Sequence, residues 1–372
     1  MKIQIARRWL VVAVGLALLC GLPVIASALP VSVPALTASQ LRGRILASAD
    51  ESYAGYAESN ATFGLPPLRG LTSLTSLLDG VTKMRVWQAT PTRWRVDVLS
   101  DAGERDTYQL SACRSYIWDS GDELLTEVRG RSAFRLPRPA DLVPPALALR
   151  LLSEASRQAR FSVIAPLRVA GRSAAGLRMT PADPASTVGQ VDIWADPASG
   201  LPLMVEIFSR GSARPALMSQ FFQVSSWHPD SRVLTPVRAP GTGFTVTDAG
   251  SLAGALSNLG LVALPAQLAD RDRLPVQPGF SSIGVYGGGL ATFVVLGVRG
   301  SAGQNLVADT LSAGGQALDV TGGTGALISA PLINAVIVRP SGFLVTFLIA
   351  GTVSAQVLEQ AASTLVTDDA LS

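Results

Sequence analysis

Histidine is almost missing from this chain: His228 is the only one in 372 residues. That absence excludes HExxH zinc sites and any cluster of imidazole ligands. A Ser-His-Asp triad would have to use His228, which stands in Trp-His-Pro-Asp with no GxSxG element to supply the nucleophile. An exposed turn residue is the simpler reading. Lysine is nearly as rare, occurring only as Lys2 and Lys83. Neither follows the glycine spacing of a phosphate-binding loop, which excludes a Walker-type nucleotide site. Charge is sparse too, at 15% of residues with a net of +3, and no basic block is long enough to track nucleic acid. Cysteine occurs twice, as Cys20 and Cys113. Cys113 falls in a turn between strands and reads as an incidental thiol.

The N-terminus carries Lys2, Arg7 and Arg8, then an apolar run from Trp9 to Ile25, then Ala26-Ser27-Ala28. This is the pattern of a secretory signal, with cleavage expected before Leu29. Uncleaved, the same run would anchor the chain, since it reaches the lower edge of a membrane span. Cys20 follows Leu18 and Leu19 rather than a small residue, which argues against lipidation. With Cys20 in the leader, the exported chain keeps one thiol and has no internal disulfide. It must stand on its core, and 48% hydrophobic residues supply one.

From Val81 to Val128 the sequence reads as short strands: VTKMRVW, RWRVDVLS, RDTYQL, SYIWDS and ELLTEV. Trp94, Val96 and Val98 alternate with Arg93, Arg95 and Asp97, the period-2 pattern of a strand with one dry and one wet face. Connections this short allow only an antiparallel meander. Before it, Ala38 to Tyr56 reads as a helix with Leu41 and Ile45 on one face, and Leu71 to Leu78 as a second, shorter one. After it come a proline-rich stretch from Leu136 to Pro145, a helix over Ala146–Arg160 and two strands between Phe161 and Thr180. Strands at Val188–Trp194, Leu201–Ser209 and Leu217–Trp227 follow. The carboxylates Asp119, Asp122, Glu123 and Glu127 have the spacing of ordinary solvated turns and strand edges, which discourage aggregation.

Near Pro240 the composition shifts to Gly, Ala and Ser with few charges. Helices are expected at Ser251–Leu259 and Ser354–Leu365, and strands at Gly284–Val298, Ile333–Val338 and Gly342–Ala350. Two glycine clusters, Gly287-Gly288-Gly289 and Gly322-Gly323-Thr324-Gly325, do not complete a dinucleotide fingerprint and read as turns. No cofactor or metal motif is present. The expected organisation is a leader over residues 1–28, a sheet domain over 35–238, and a smaller C-terminal α+β domain over 239–372.

Two phrases carry a family resemblance. Asp79-Gly80-Val81-Thr82-Lys83-Met84-Arg85-Val86-Trp87 with Arg93-Trp94-Arg95-Val96-Asp97 resembles the early strands of the superfamily containing the lipoprotein carrier LolA and the sigma-E regulatory protein RseB. Ile193-Trp194-Ala195-Asp196-Pro197-Ala198-Ser199-Gly200-Leu201-Pro202-Leu203 resembles that superfamily's W-x-D-P-x-T/S-G-L-P-L hairpin. The resemblance covers about residues 38 to 238, and the length beyond it is similar to RseB-like or actinobacterial secreted relatives.

The resemblance implies an α+β fold: a strongly curved antiparallel sheet forming a half-open barrel, with helices packed into its mouth. It also implies a hydrophobic cavity, for which the inward candidates are Met84, Val86, Trp94, Val96, Val98, Ile193, Leu203 and Val205. The same side chains would serve equally as a closed core. The function implied is an exported, non-enzymatic carrier or sensor of lipid or lipoprotein acyl chains. The alternative is a regulatory module that binds the extracytoplasmic part of an anti-sigma factor or another membrane protein, such as a transporter. Membrane-surface contact and a cell-envelope location follow from either.

Overall fold

The computed structural model describes residues 31–64, 77–101, 103–131, 137–249, 262–275 and 283–367. The leader, the expected helix at Ser251–Leu259 and most of that at Leu71–Leu78 lie outside the described residues. Among the described residues no helix is long and apolar enough to cross a membrane.

The first helix, α1 (Ala38–Ala47), is opened by a capping box. The Gln40 amide donates to Thr37 Oγ1 at 3.2 Å, and the Thr37 amide donates to Gln40 Oε1 at 2.9 Å. Two donors that would otherwise be orphaned at the helix start are thus satisfied reciprocally. Leu41 and Ile45 are fully buried. The helix ends at Ala47, not at Tyr56 as the sequence suggested, and β1 (Tyr53–Thr62) begins six residues later. Small residues are needed there for a strand's reason: a Cβ on Gly55 would meet the Gln223 carbonyl at 2.4 Å and the Phe221 ring at 3.0 Å.

The meander follows as β2 (Asp79–Thr90), β3 (Arg93–Ser100), β4 (Gly103–Ser111), β5 (Arg114–Asp119) and β6 (Leu124–Arg129). A short 3-10 helix (Pro139–Leu142) leads into α2 (Pro144–Ser153), whose first turn takes two prolines where no backbone donor is needed. Then come β7 (Arg160–Val169), β8 (Arg172–Thr180), β9 (Val188–Ala195), β10 (Pro202–Ser209), β11 (Pro215–Ser225) and β12 (Gly243–Asp248). These twelve strands form one curved, unclosed sheet in the order β12-β6-β5-β4-β3-β2-β1-β11-β10-β9-β8-β7. All neighbours are antiparallel except β12, which lies parallel to β6. Register shifts interrupt the pairing of β1 with β11, β2 with β3, β7 with β8, and β10 with both its neighbours. Bulges of this kind bend strands and deepen twist, so the sheet curls without closing.

α1 and α2 fill the concave side, where Leu41, Ile45, Leu147, Ala148, Leu151 and Leu152 join the inner face of the sheet in one core. The outer face is not simply wet. Glu127 is only 3% exposed, and it receives Arg114 Nε at 2.9 Å and Arg129 Nε at 3.0 Å. The segment after β11 crosses β3, tied by Arg95 Nη1 donating to the Val233 carbonyl at 3.4 Å. It buries Leu234 before reaching β12.

A second sheet holds β15 (Ile283–Gly288), β16 (Ala291–Arg299), β17 (Gln316–Val320), β18 (Gly323–Ser329), β19 (Asn334–Pro340) and β20 (Val345–Gly351). A two-residue hairpin, β13 (Gln267–Leu268) with β14 (Arg271–Asp272), precedes it. The expected strand at Gly284–Val298 is a hairpin that turns at Gly289, whose φ is +61°. Two short helices, α3 (Ser301–Gln304) and α4 (Leu306–Ser312), lacked a signal in the sequence reading, whereas the turn read at Gly322 joins β17 to β18. The last helix, α5 (Ala355–Thr367), packs Leu358, Ala361, Ala362 and Leu365 onto a core with Phe293, Val336 and Phe347.

The two sheets are stitched together just before β9. The Thr187 amide donates to the Thr352 carbonyl at 3.1 Å, and the Ser354 amide donates to the Ala185 carbonyl at 2.8 Å. Ser186 and Thr187 hydroxyls donate to the carbonyls of Leu290 and Leu332, each at 2.6 Å. Leu332, from the β18–β19 turn, is buried in the core of the large sheet.

Candidate functional site

Cross-strand pairing fixes which side chains face the helices. Met84 stands opposite Val98, Val86 opposite Val96, and Gln88 opposite Trp94, so these six share the concave face of β2 and β3. On the far side of the sheet Ile193 is paired with Val205. Seven of the eight side chains expected at a cavity belong to the single large core, and half-buried Val98 packs against it.

Only part of that set meets open space. A cavity of about 240 Å³ lies between the end of α1, strands β1 to β3, and the start of α2. Val86, Trp94 and Val96 line it. Met84, Ile193, Leu203 and Val205 do not; they are fully enclosed, with α1 and α2 packed over the rest of the face. The remaining wall comes from residues the sequence reading did not single out, among them Tyr53, Gln88, Arg138, Val143, Ala146 and Leu149. The proline-rich stretch before α2 was the available signal, because it carries the chain across the mouth of the sheet.

The cavity is apolar on the α2 side and polar along one rim. The Tyr53 hydroxyl donates to Gln88 Oε1 at 3.2 Å, and Gln88 Nε2 donates to the Glu51 carbonyl at 3.3 Å. Burial raises the Tyr53 hydroxyl well above the ordinary phenol range, so it stays a neutral donor. The Arg138 guanidinium lies 4.8 Å over the Trp94 ring, a cation–π contact. Its backbone amide donates to Asp141 Oδ2 at 3.0 Å, and its Nη1 to Gln109 Oε1 at 3.4 Å. An ion pair, Arg138 Nε to Asp141 Oδ1 at 3.9 Å, thus stands at the rim, braced by an aromatic face. The arrangement offers an apolar pocket with a charged rim and no nucleophile or base among its lining residues placed for chemistry.

The β9–β10 hairpin contributes nothing to the cavity lining and instead meets α1. The Gly200 amide donates to the Asp196 carbonyl at 2.8 Å, and the Ala198 amide to Asp196 Oδ1 at 2.9 Å. Gly200 has φ +76°, and a Cβ there would come 2.2 Å from the Arg44 carbonyl of α1. Arg44 Nη1 in turn donates to the Pro197 carbonyl. The turn is a seat for the helix that closes the concave side.

No family model matches the chain, and no curated protein matches it by sequence. Among solved structures, the Pseudomonas aeruginosa MucA/MucB complex superposes with a TM-score of 0.50 at 17% identity, covering 87% of this chain and 96% of that one. The chain has the LolA/RseB-like fold. A structure of MucB in complex with MucA(peri) matches this LolA/RseB-like chain with a TM-score of 0.48 and 18% identity, over 87% and 97% of the two chains. A LolA superfamily protein from Nitrosomonas europaea matches with a TM-score of 0.25 and 12% identity, over 54% of this chain and 99% of that one. At 17% identity, the superposition on the MucA/MucB complex shows a shared fold alone.

Proposed function

We propose that this protein is an exported, non-enzymatic binding protein that takes up an acyl chain of a lipid or lipoprotein in the concave cavity. The observation that carries the reading is the cavity itself: apolar side chains of Val86, Val96, Val143 and Leu149 around about 240 Å³, with Arg138 at the rim. That volume lies below the ~300–1,000 Å³ of a typical small-molecule pocket. It suits part of one chain rather than several. Each methylene withdrawn from water contributes about 0.8 kcal/mol, so even a partly enclosed chain binds usefully. In support of a non-enzymatic role, the rare nucleophile and base candidates Cys113 and His228 are both exposed.

A second reading is favoured by a specific observation. The match to the MucA/MucB complex covers 87% of this chain, which must include parts of both sheets. A regulatory protein that binds the extracytoplasmic part of a membrane-anchored anti-sigma factor would use that two-sheet body, with lipid in the cavity as a signal.

Native mass spectrometry of the secreted protein, followed by lipid extraction, tests the first reading. Co-purifying acyl lipid in near-stoichiometric amount is expected. Ala146→Phe, at a half-buried position on the cavity wall, should fill the space and abolish uptake of a fluorescent fatty acid while the protein still melts cooperatively. A lipid-free mass and no uptake by the unaltered protein would leave the regulator reading. The same spectrum gives the mature N-terminus, with Leu29 expected as its first residue.

A further inference from the structure

The outer face of β3 and β4 holds a second cluster of chemistry, away from the cavity. Asp97 and Asp106 stand directly opposite each other on these strands, 1% and 3% exposed. Arg95 and Tyr108 form the next cross-strand pair to one side, and Leu99 and Glu104 the next to the other. Arg95 occupies the first side: its Nε lies 2.6 Å from Asp97 Oδ1 and its Nη2 2.9 Å from Asp106 Oδ2. The Tyr108 hydroxyl donates to that same Asp106 Oδ2 at 3.2 Å.

On the other side stand Glu104 and Leu99, with exposed Lys83 opposite Leu99 on β2. Asp106 Oδ1 is sealed from solvent and has no hydrogen-bond partner. Oδ2 is committed to Arg95 and Tyr108, so Oδ1 is the oxygen left for a further partner. One oxygen each of Asp97, half-buried Glu104 and Asp106 lies within 4.8 Å of the others. Two calcium–oxygen bonds of about 2.4 Å span at most about 4.8 Å, so the three atoms can share one ion. Three carboxyl groups gather beside Arg95 here. Arg85, opposite Asp97 on β2, is exposed to solvent. An orphaned buried carboxylate oxygen is costly unless something positive satisfies it.

We propose that the Glu104 side of this corner binds one hard divalent cation of the calcium class, through one oxygen each of Asp97, Glu104 and Asp106. Oxygen-only donors select calcium, magnesium or manganese over zinc or copper. The spacing and the flexible, half-open side favour calcium, with water completing a shell that takes six to eight ligands. The ion holds the two aspartates in place; they hold Arg95, which holds the Val233 carbonyl and the segment that leads to β12. Cation binding therefore braces the outer strap of the sheet.

The full exported chain, freed of metal with a chelator, is titrated with calcium by calorimetry. One ion per chain is expected, with a dissociation constant in the ~10⁻⁴–10⁻³ M range of extracellular modules. Terbium provides a local probe, because Trp118 stands opposite Asp106 on the same face and can sensitise its emission. Glu104→Gln should weaken binding at least tenfold and remove the terbium signal. Asp106→Asn should abolish both. Asp122→Asn, in an exposed turn, should change neither. If Asp106→Asn fails to fold, Glu104→Gln decides alone, since Glu104 is half-buried at the rim of the corner. No calcium uptake up to about 10 mM, ten times the weak end of that range, overturns the proposal. So does unaltered binding by Glu104→Gln.

Discussion

Arg271 Nη1 lies 2.8 Å from Asp183 Oδ2, an ion pair that joins the hairpin in front of the small sheet to the large sheet. The same Arg271 nitrogen reaches the Ala291 carbonyl at 3.3 Å, at the start of β16. Arg210 adds a donor from the large sheet, Nη2 to the Asp183 carbonyl at 3.1 Å. Asp183 thus gathers cations from both bodies. Burial pushes its carboxyl upward, but the Arg271 hydrogen bond and the Ala185 amide outweigh that, and the net shift is downward.

Arg271→Ala should cost about 1–3 kcal/mol, the scale of a hydrogen bond to a charged group together with the acceptor it strands. Urea unfolding followed by tryptophan fluorescence checks this. The depressed carboxyl makes the contribution one that is present above the unfolded aspartate range near pH 4 and lost as pH falls below it. The variant and the parent should therefore converge in stability at acid pH. A constant gap from pH 7 down to pH 3 contradicts the assignment.

Asp97 has the opposite sign. Burial is the largest influence on its carboxyl and raises it to about 7, against the lowering effect of Arg95. With the folded value above the unfolded one, the folded state binds the extra proton between about pH 4 and 7, and stability drops as pH rises through that window. In chelator, Asp97→Asn should remove a slope of up to about 1.4 kcal/mol per pH unit from the stability profile. Matching slopes for the two proteins would rule this out.

Gly200→Ala should be destabilising by about 1–3 kcal/mol, because it forces a side chain into a positive-φ turn and against the Arg44 carbonyl. The loss should fall on α1. Amide exchange over Leu41 and Ile45 should accelerate more than exchange in β15 to β20.

How much of this was legible in the residues can be judged strand by strand. The meander from β2 to β6 was readable because its apolar positions alternate and its turns are marked by Pro91 and Gly121. β1 was not, because beyond Tyr53 its buried side chains are Ala54, Ala57, Ser59 and Ala61. Alanine carries no period that separates strand from helix. β12 was hidden for another reason: Phe244 and Val246 are both exposed, so no dry face announces the strand.

At the cavity, alternation identified the concave face of β2 and β3. It did not say where α1 and α2 stop covering that face, which is what separates lining Val86 from enclosed Met84. The outer corner was missed because Asp97 reads as a wet-face residue. It is nonetheless buried, paired with Arg95 and opposite Asp106.

Two truncations separate the roles of the C-terminal half. A chain ended after Arg238 lacks β12 and leaves the β6 edge unpaired; one ended after Ala249 keeps it. Both lose the small sheet and its stitches equally. The shorter chain should associate with rising concentration in analytical ultracentrifugation, as bare edges do. The longer one should do so markedly less.

The parallel placement of β12 also sets an order of events. A polypeptide that emerges N-terminus first presents β6 long before Gly243 to Asp248 arrive to cover it. During that interval the outermost rung of the meander is sticky, and any passing strand competes for it. Completion of the large sheet thus waits on its last strand, which begins 18 residues beyond the end of β11, so the speed of synthesis becomes a determinant of yield.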